Sequence, residues 1–328
     1  MTVNNEIIVR TSERTALHRC PQKWWWAWRN GLVPKEINNK LWFGAGIHVA
    51  LAEWYQAGSK RGTDPAETWM RFVGREETFI RNSNGLIDQE KWVNARDMGV
   101  AMLDSYREEY GDDEEWDVIA TEQQFQALIK ADFGRRIVYA GTFDGVYRDT
   151  ATGKLWLMEH KTALQLPNIG YLELDTQASS YFMVAENILK FQGIMKPNEK
   201  LEGITYNFLR KAMPDDRLRN ERGQYLNKDG SISKVQGTAR FMRHPVWRND
   251  RQRQMTKNEI VNDVKLMLAY RNGELGITKT AMQDCSWDCD FFAMCQLHGS
   301  GDDWQEYRDA MYNKRDPYSD HRIAMKEA

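Results

Sequence analysis

The chain has 328 residues, 41% of them hydrophobic and 28% charged, with a formal net charge of −2. It is long enough for one large domain or two coupled ones, and no run of about 18 apolar residues offers a membrane span. The start, "MTVNNEIIVRTSERTALHRC", lacks the basic and apolar regions of a secretion signal. The expected location is therefore the cytoplasm, where disulfides seldom persist. The four cysteines then point to free thiols or metal ligands.

In chain order, residues 12–30 read as a helix with Thr11 or Ser12 as N-cap. This stretch holds Cys20-Pro21 and Trp24, Trp25, Trp26 and Trp28, too many indoles for one helix face, so most are expected to pack. A second helix is expected from about Gly44, and two more over 64–83 and 88–109. Residues 116–129 read as a strand; 135–149 and 154–163 form a hairpin around "TATG". A helix over 172–190 and a strand over 201–212 follow. Residues 210–257 carry 13 Lys/Arg against 5 Asp/Glu, leaving the rest of the chain near −10. Such a segment suits a polyanion contact, or equally a solvated, partly disordered loop. The closing helix spans 256–273, with Thr256 as N-cap and Gly273 past its end. This order predicts an α/β fold with a mixed sheet flanked by helices. It divides into a helical region over 1–110, a core over 111–212, a basic insertion over 213–257 and a C-terminal region over 258–328, together one compact unit.

The hairpin carries the chemistry. With its turn centred between Ala151 and Thr152, Asp144 stands opposite Glu159, with Cβ atoms roughly 5 Å apart. Lys161 shares that face by the period of two. Facing carboxylates repel, but a divalent cation between them reverses the sign, and hard oxygen ligands suit Mg²⁺ or Mn²⁺. Only two acid-x-Lys triplets occur, Glu159-His160-Lys161 and Asp263-Val264-Lys265; the second reads as a solvated helix face. Glu122, on the preceding strand, reads as a supporting group or a surface acid.

"GTFDG", "MEHK" and "QASSY" together resemble the RecB-like branch of the PD-(D/E)XK nucleases, where Gly-x-x-Asp, Glu-x-Lys and Gln-x-x-x-Tyr follow a helix bearing Gly-x-x-x-His. The matching residues are Gly44 and His48, Gly141 and Asp144, Glu159 and Lys161, and Gln177 and Tyr181. The resemblance implies a restriction-endonuclease-like core. It implies metal binding by Asp144, Glu159, the His160 backbone carbonyl and His48. Lys161 would act on the attacking water, and Gln177 and Tyr181 would position nucleic acid or the lysine. The implied function is a DNA exonuclease on ends or single strands in recombination, repair or end processing; a catalytically inactive nucleic-acid-binding scaffold of the same fold is the alternative.

A subset of that branch, AddB-like subunits and CRISPR-adaptation exonucleases, has one cysteine before the core and three after it, holding an iron–sulfur cluster. Cys20, Cys285, Cys289 and Cys295 match that layout, which implies a [4Fe–4S] cluster. Three residues rather than the usual two separate Cys285 from Cys289. Structural Zn²⁺ is the competitor, free buried thiols a further reading, and His298 a substitute ligand. Without a nucleotide-binding Gly-x-x-x-x-Gly-Lys-Ser/Thr motif, the chain looks like single-chain CRISPR-associated or phage-encoded members. DNA is the expected partner, with homo-oligomers or recombination or CRISPR proteins left open.

Overall fold

The computed structural model describes residues 6–35, 39–58, 60–82, 87–132 and 134–319. Strand β1 (Glu6–Val9) leads into α1 (Thr11–Arg19), α2 (Pro21–Trp24), a π-helical turn (Trp25–Arg29) and β2 (Leu32–Pro34). Helices α3 (Asn39–Trp54), α4 (Pro65–Asn82) and α5 (Gln89–Tyr110) precede β3 (Trp116–Asp132), β4 (Arg135–Asp149) and β5 (Leu155–Ala163). Then come α6 (Ile169–Leu172), α7 (Thr176–Phe191), β6 (Leu201–Arg210), β7 (Phe241–Val246) and α8 (Asp250–Arg271). The elements α9 (Cys285–Asp288), α10 (Phe292–Ser300), α11 (Trp304–Met311) and β8 (Tyr312–Lys314) close the described chain.

The fold is α/β, with a mixed six-stranded sheet as its centre. One face carries the core shared by Trp24, Phe143, Val146, Leu157, Phe182 and Ile260, under α7 and α8. The other carries Trp42, Trp69, Tyr106, Tyr147 and Met158, under α3 to α5. Strand β3 flanks β4 along its whole length. On the other side of β4, β1 pairs with residues 136–139 and β5 with 145–148, leaving a stretch between them with no strand partner among the described residues. The sheet forks there.

Several boundaries differ from expectation. The first helix is interrupted because Cys20 adopts an extended backbone before Pro21, and the chain then widens into the π-helical turn. Arg10, not Thr11 or Ser12, occupies the N-cap of α1, without a side-chain bond. Helix α8 starts six residues before Thr256, at a reciprocal cap between Asn249 and Gln252; its polar first turns conceal that start. Thr256 lies inside the helix, donating to the Gln252 carbonyl. The second acid-x-Lys triplet is not on a solvated face: Asp263 is buried, accepting from Arg14 Nε at 2.5 Å and His18 Nε2 at 2.7 Å. The basic segment is ordered by bridges Arg219↔Tyr225 and Leu226↔Ile232, with Arg217 and Arg219 over the Tyr225 ring. Among the described residues, no helix is long and apolar enough to cross a membrane.

Candidate active site and cysteine cavity

The site forms where β4 and β5 part. The β4–β5 turn is closed by Asp149, whose carboxylate accepts from the Thr152 amide and hydroxyl, and by Gly153 in the left-handed region. The last strand pair before the fork is Gly145↔Met158, which puts Asp144 level with Glu159 in the expected register. A side chain on Gly145 would collide with Met158. Phe143 and Val146 both face the α7 core, so the period of two breaks between them, at Asp144 and Gly145. Asp144 thus turns into the fork: its Oδ2 accepts from the His160 amide at 2.6 Å, and its Oδ1 lies 3.2 Å from His48 Nδ1.

Glu159, 2% exposed, shares one carboxylate oxygen between Lys161 Nζ and Gln177 Nε2, both at 2.6 Å. Lys161 also donates to Gln177 Oε1 at 2.6 Å, and Gln177 Nε2 reaches the Tyr181 hydroxyl at 3.1 Å. Gln177 and Tyr181 can cooperate because they lie one turn apart on α7, whose N-cap is Asp175. Tyr181 is also core, edge-on to Phe125 and Phe143. Gly141 makes room for that packing, since a Cβ there would sit 2.8 Å from the Phe125 ring.

Electrostatics follow from burial and neighbours. Burial and the Asp144 charge push Glu159 up to about 7. Burial alone would raise Asp144, but His48 and then His160 and Lys161 outweigh it and hold it at about 2. Burial disfavours the His48 imidazolium, yet Asp144 and Glu159 overcome that and raise it to about 9.

Glu122 takes a part that sequence reasoning left undecided. It has a left-handed backbone (φ 48°) and lies across from Asp144, between the pairs Thr121↔Gly145 and Gln123↔Phe143. Among the described residues, His48, Glu122 and Asp144 form the one group of at least three acid, histidine or cysteine side chains with ligand atoms all within 4.8 Å of one another. Glu159 is adjacent, and its Oε2 is buried with no hydrogen-bond partner. Hard oxygens, an imidazole and an orphaned carboxylate oxygen fit a hard divalent cation. The glycine singled out before His48 is not the tightly packed one: a Cβ on Gly44 would be 3.7 Å from Thr162 Oγ1, whereas one on Gly46 would strike Trp69 and Phe72.

The His160 ring packs edge-on to His48, with centroids 6.1 Å apart, but its hydrogen bonds belong to a buried polar network that the sequence did not reveal. Its Nδ1 accepts from Asn207 Nδ2 at 2.9 Å, and its ring stacks on Tyr55. Asn207 also donates to the Tyr106 hydroxyl; Arg243 donates to Tyr55, to Tyr106 and to both oxygens of Asp113. Burial depresses His160 to about 3, so the ring is neutral and the network holds the active strand from behind. Its members come from distant segments, and no local spacing links them.

The four cysteines are all unpaired thiols and line one cavity of about 140 Å³, together with Trp26 and Phe291. The Thr280 amide donates to Cys20 Sγ and the Met282 amide to Cys285 Sγ, each at 3.4 Å. No three of these sulfurs lie within 4.8 Å of one another. His298 packs edge-on against Trp26 and Trp304 and is not among the cavity's lining residues. Trp24 and Trp26 are both buried, Trp24 in the main core and Trp26 beside Cys289 and Cys295.

With this geometry in place, comparison with known families gives a match to the PD-(D/E)XK nuclease superfamily over residues 11–296. The chain belongs to that superfamily, a class of metal-dependent nucleases. No curated protein matches it.

Proposed function

We propose that this chain is a metal-dependent deoxyribonuclease, acting as an exonuclease on DNA ends or single strands. The observation that carries the reading is the gathering of Asp144, Glu159, Lys161 and Gln177 at the sheet fork, with one buried Glu159 oxygen left without a partner. Asp144, Glu159, His48 and the His160 carbonyl would hold Mg²⁺ or Mn²⁺, with Glu122 beside them. The ion, when bound, supplies Lewis acidity toward the phosphodiester and its attacking water. Lys161 places an ammonium where negative charge grows on the phosphorus oxygens. Gln177 orients that ammonium against Glu159, and Tyr181 buttresses Gln177. The basic segment supplies phosphate contacts and a salt-sensitive affinity.

The same reading assigns Cys20, Cys285, Cys289 and Cys295 to a [4Fe–4S] cluster. It is supported by four free thiols around one cavity and amide donors aimed at two of them. Anaerobically purified protein is expected to be brown and to contain iron and acid-labile sulfide. A colourless protein with stoichiometric zinc would replace the cluster with zinc.

The test of the enzyme is release of nucleotides from labelled single-stranded and duplex DNA in Mn²⁺ or Mg²⁺. Lys161→Ala is expected to lower the rate by roughly 10² or more with an unchanged circular-dichroism spectrum. Equal rates for wild type and variant would leave a nucleic-acid-binding scaffold as the better description.

A further inference from the structure

The tryptophan-rich stretch ends beside a second cavity, which the nuclease chemistry leaves unused. It has a volume of about 430 Å³ and is lined by Trp28, Arg29, Arg135, Arg271, Arg315 and Tyr318. That size lies within the roughly 300–1,000 Å³ of small-molecule sites. Arg135 opens β4 nine residues before Asp144, about 30 Å of extended strand, so the cavity is separate from the fork. Its walls are fastened. The β2–β8 pairing is extended by the Arg315 amide, which donates to the Gly31 carbonyl at 2.8 Å. Gly31 has a left-handed backbone, and a Cβ there would collide with the Arg315 carbonyl. Arg10 Nη1 donates to the Pro317 carbonyl at 3.4 Å.

Charge in this cavity is unbalanced. Among the described residues, none of its four guanidiniums has a hydrogen bond or an ion pair. Of the acids at its wall, Glu6 is engaged at 3.2 Å by Arg136, which does not line the cavity. Glu13 is buried, and burial pushes its carboxyl up to about 7 against hydrogen bonds from Tyr318 and Trp24. Asp316 is the one other acidic side chain lining the cavity among the described residues. Desolvation at the wall, then the charges of Arg29 and Arg135, lower Arg271 from the ordinary arginine value. Like charges crowded in a concave site favour an anion between them, and guanidinium forks match phosphate oxygens. The aromatic wall adds a demand that phosphate alone does not meet. Trp28 and Tyr318 are half-buried, with ring centroids 5.6 Å apart, and offer packing surface for a flat ring. We propose that this cavity binds a free nucleoside monophosphate, with its phosphate held by Arg29, Arg135, Arg271 and Arg315 and its base packed on Trp28 and Tyr318. The site is additional to the catalytic one and does not depend on the nuclease reading.

The test is a thermal-shift titration of the full chain in EDTA, which keeps a metal-bound nucleotide out of the fork. The probes are the four deoxynucleoside 5′-monophosphates, the matching nucleosides and inorganic phosphate. At least one monophosphate is expected to raise Tm saturably, the nucleosides not at all, and phosphate less than the monophosphate. Arg29→Gln combined with Arg271→Gln should weaken monophosphate binding at least tenfold. Both positions are exposed, and relief of repulsion should leave the ligand-free Tm of this variant no lower than that of wild type. Lys161→Ala should keep the full response. No rise with any monophosphate, an equal rise with phosphate, or an equal rise in the double variant overturns the site. Loss of the rise in Lys161→Ala would move the nucleotide to the fork and overturns it too. DNA cleavage is scored separately. A chain that binds nucleotides through the arginines yet cuts no DNA keeps this site and loses the nuclease reading; one that cuts DNA without the Tm response does the reverse.

Discussion

On the proposed metal-binding reading, protons and a cation compete for the same side chains at the fork. Glu159 is raised from about 4.5 to about 7, so its contribution to apo stability is full below 4.5 and lost as pH rises through 7. His48 is raised from 6.5 to about 9; its contribution is full below 6.5 and lost as pH rises through 9. As proposed ligands, both groups must shed a proton to bind a cation, so cation binding would release protons. The apo protein should accordingly lose thermal stability between pH 4.5 and 9, Glu159 acting in the lower part and His48 in the upper, while the rise in Tm caused by Mn²⁺ grows over the same range. A thermal-shift series with and without Mn²⁺ checks this, and His48→Gln should flatten the upper part of the profile. A Mn²⁺ effect independent of pH would mean that neither group is a ligand.

At the scale of elements, two contacts set how helices α3, α4 and α5 meet one another. Gly46 on α3 and Gly99 on α5 both abut Trp69 of α4, and a Cβ on either would collide with its indole. Gly99→Ala should cost about 1–3 kcal/mol by overpacking, outweighing the gain in helix propensity; denaturant unfolding gives the value. The network behind β5 makes a different demand. Arg243→Met strands the Asp113 carboxylate and should cost roughly 3–5 kcal/mol, whereas adding Asp113→Leu should recover part of it. If the single variant is as stable as wild type, the network does not hold the strand. The hairpin was legible because its turn is local, its register sets Asp144 level with Glu159, and the period of two carries Lys161 along with Glu159. The start of α8 was hidden by its polar first turns. Strands β1, β2 and β8 are three or four residues long and pair with distant segments, so no periodicity marks them.

For the whole molecule, the cysteine cavity draws together Cys20 and a segment more than 260 residues later. A cluster there would close nearly the entire chain into a loop, and such a tie stabilises by up to roughly 5 kcal/mol through the unfolded chain. Cys20→Ser and Cys289→Ser should each lower Tm by several degrees and bleach the visible absorption together. Loss of colour with unchanged Tm would separate the cluster from the fold. The sequence by itself determined the α/β class, the hairpin register and the acids and lysine on it, because those depend on near neighbours and alternation. Tertiary structure decided the rest: the fork that turns Asp144 toward His48, the approach of Glu122, the network holding His160, and the gathering of four thiols. Each of these joins side chains from separate elements, and only packing of the complete chain brings such groups within bonding distance.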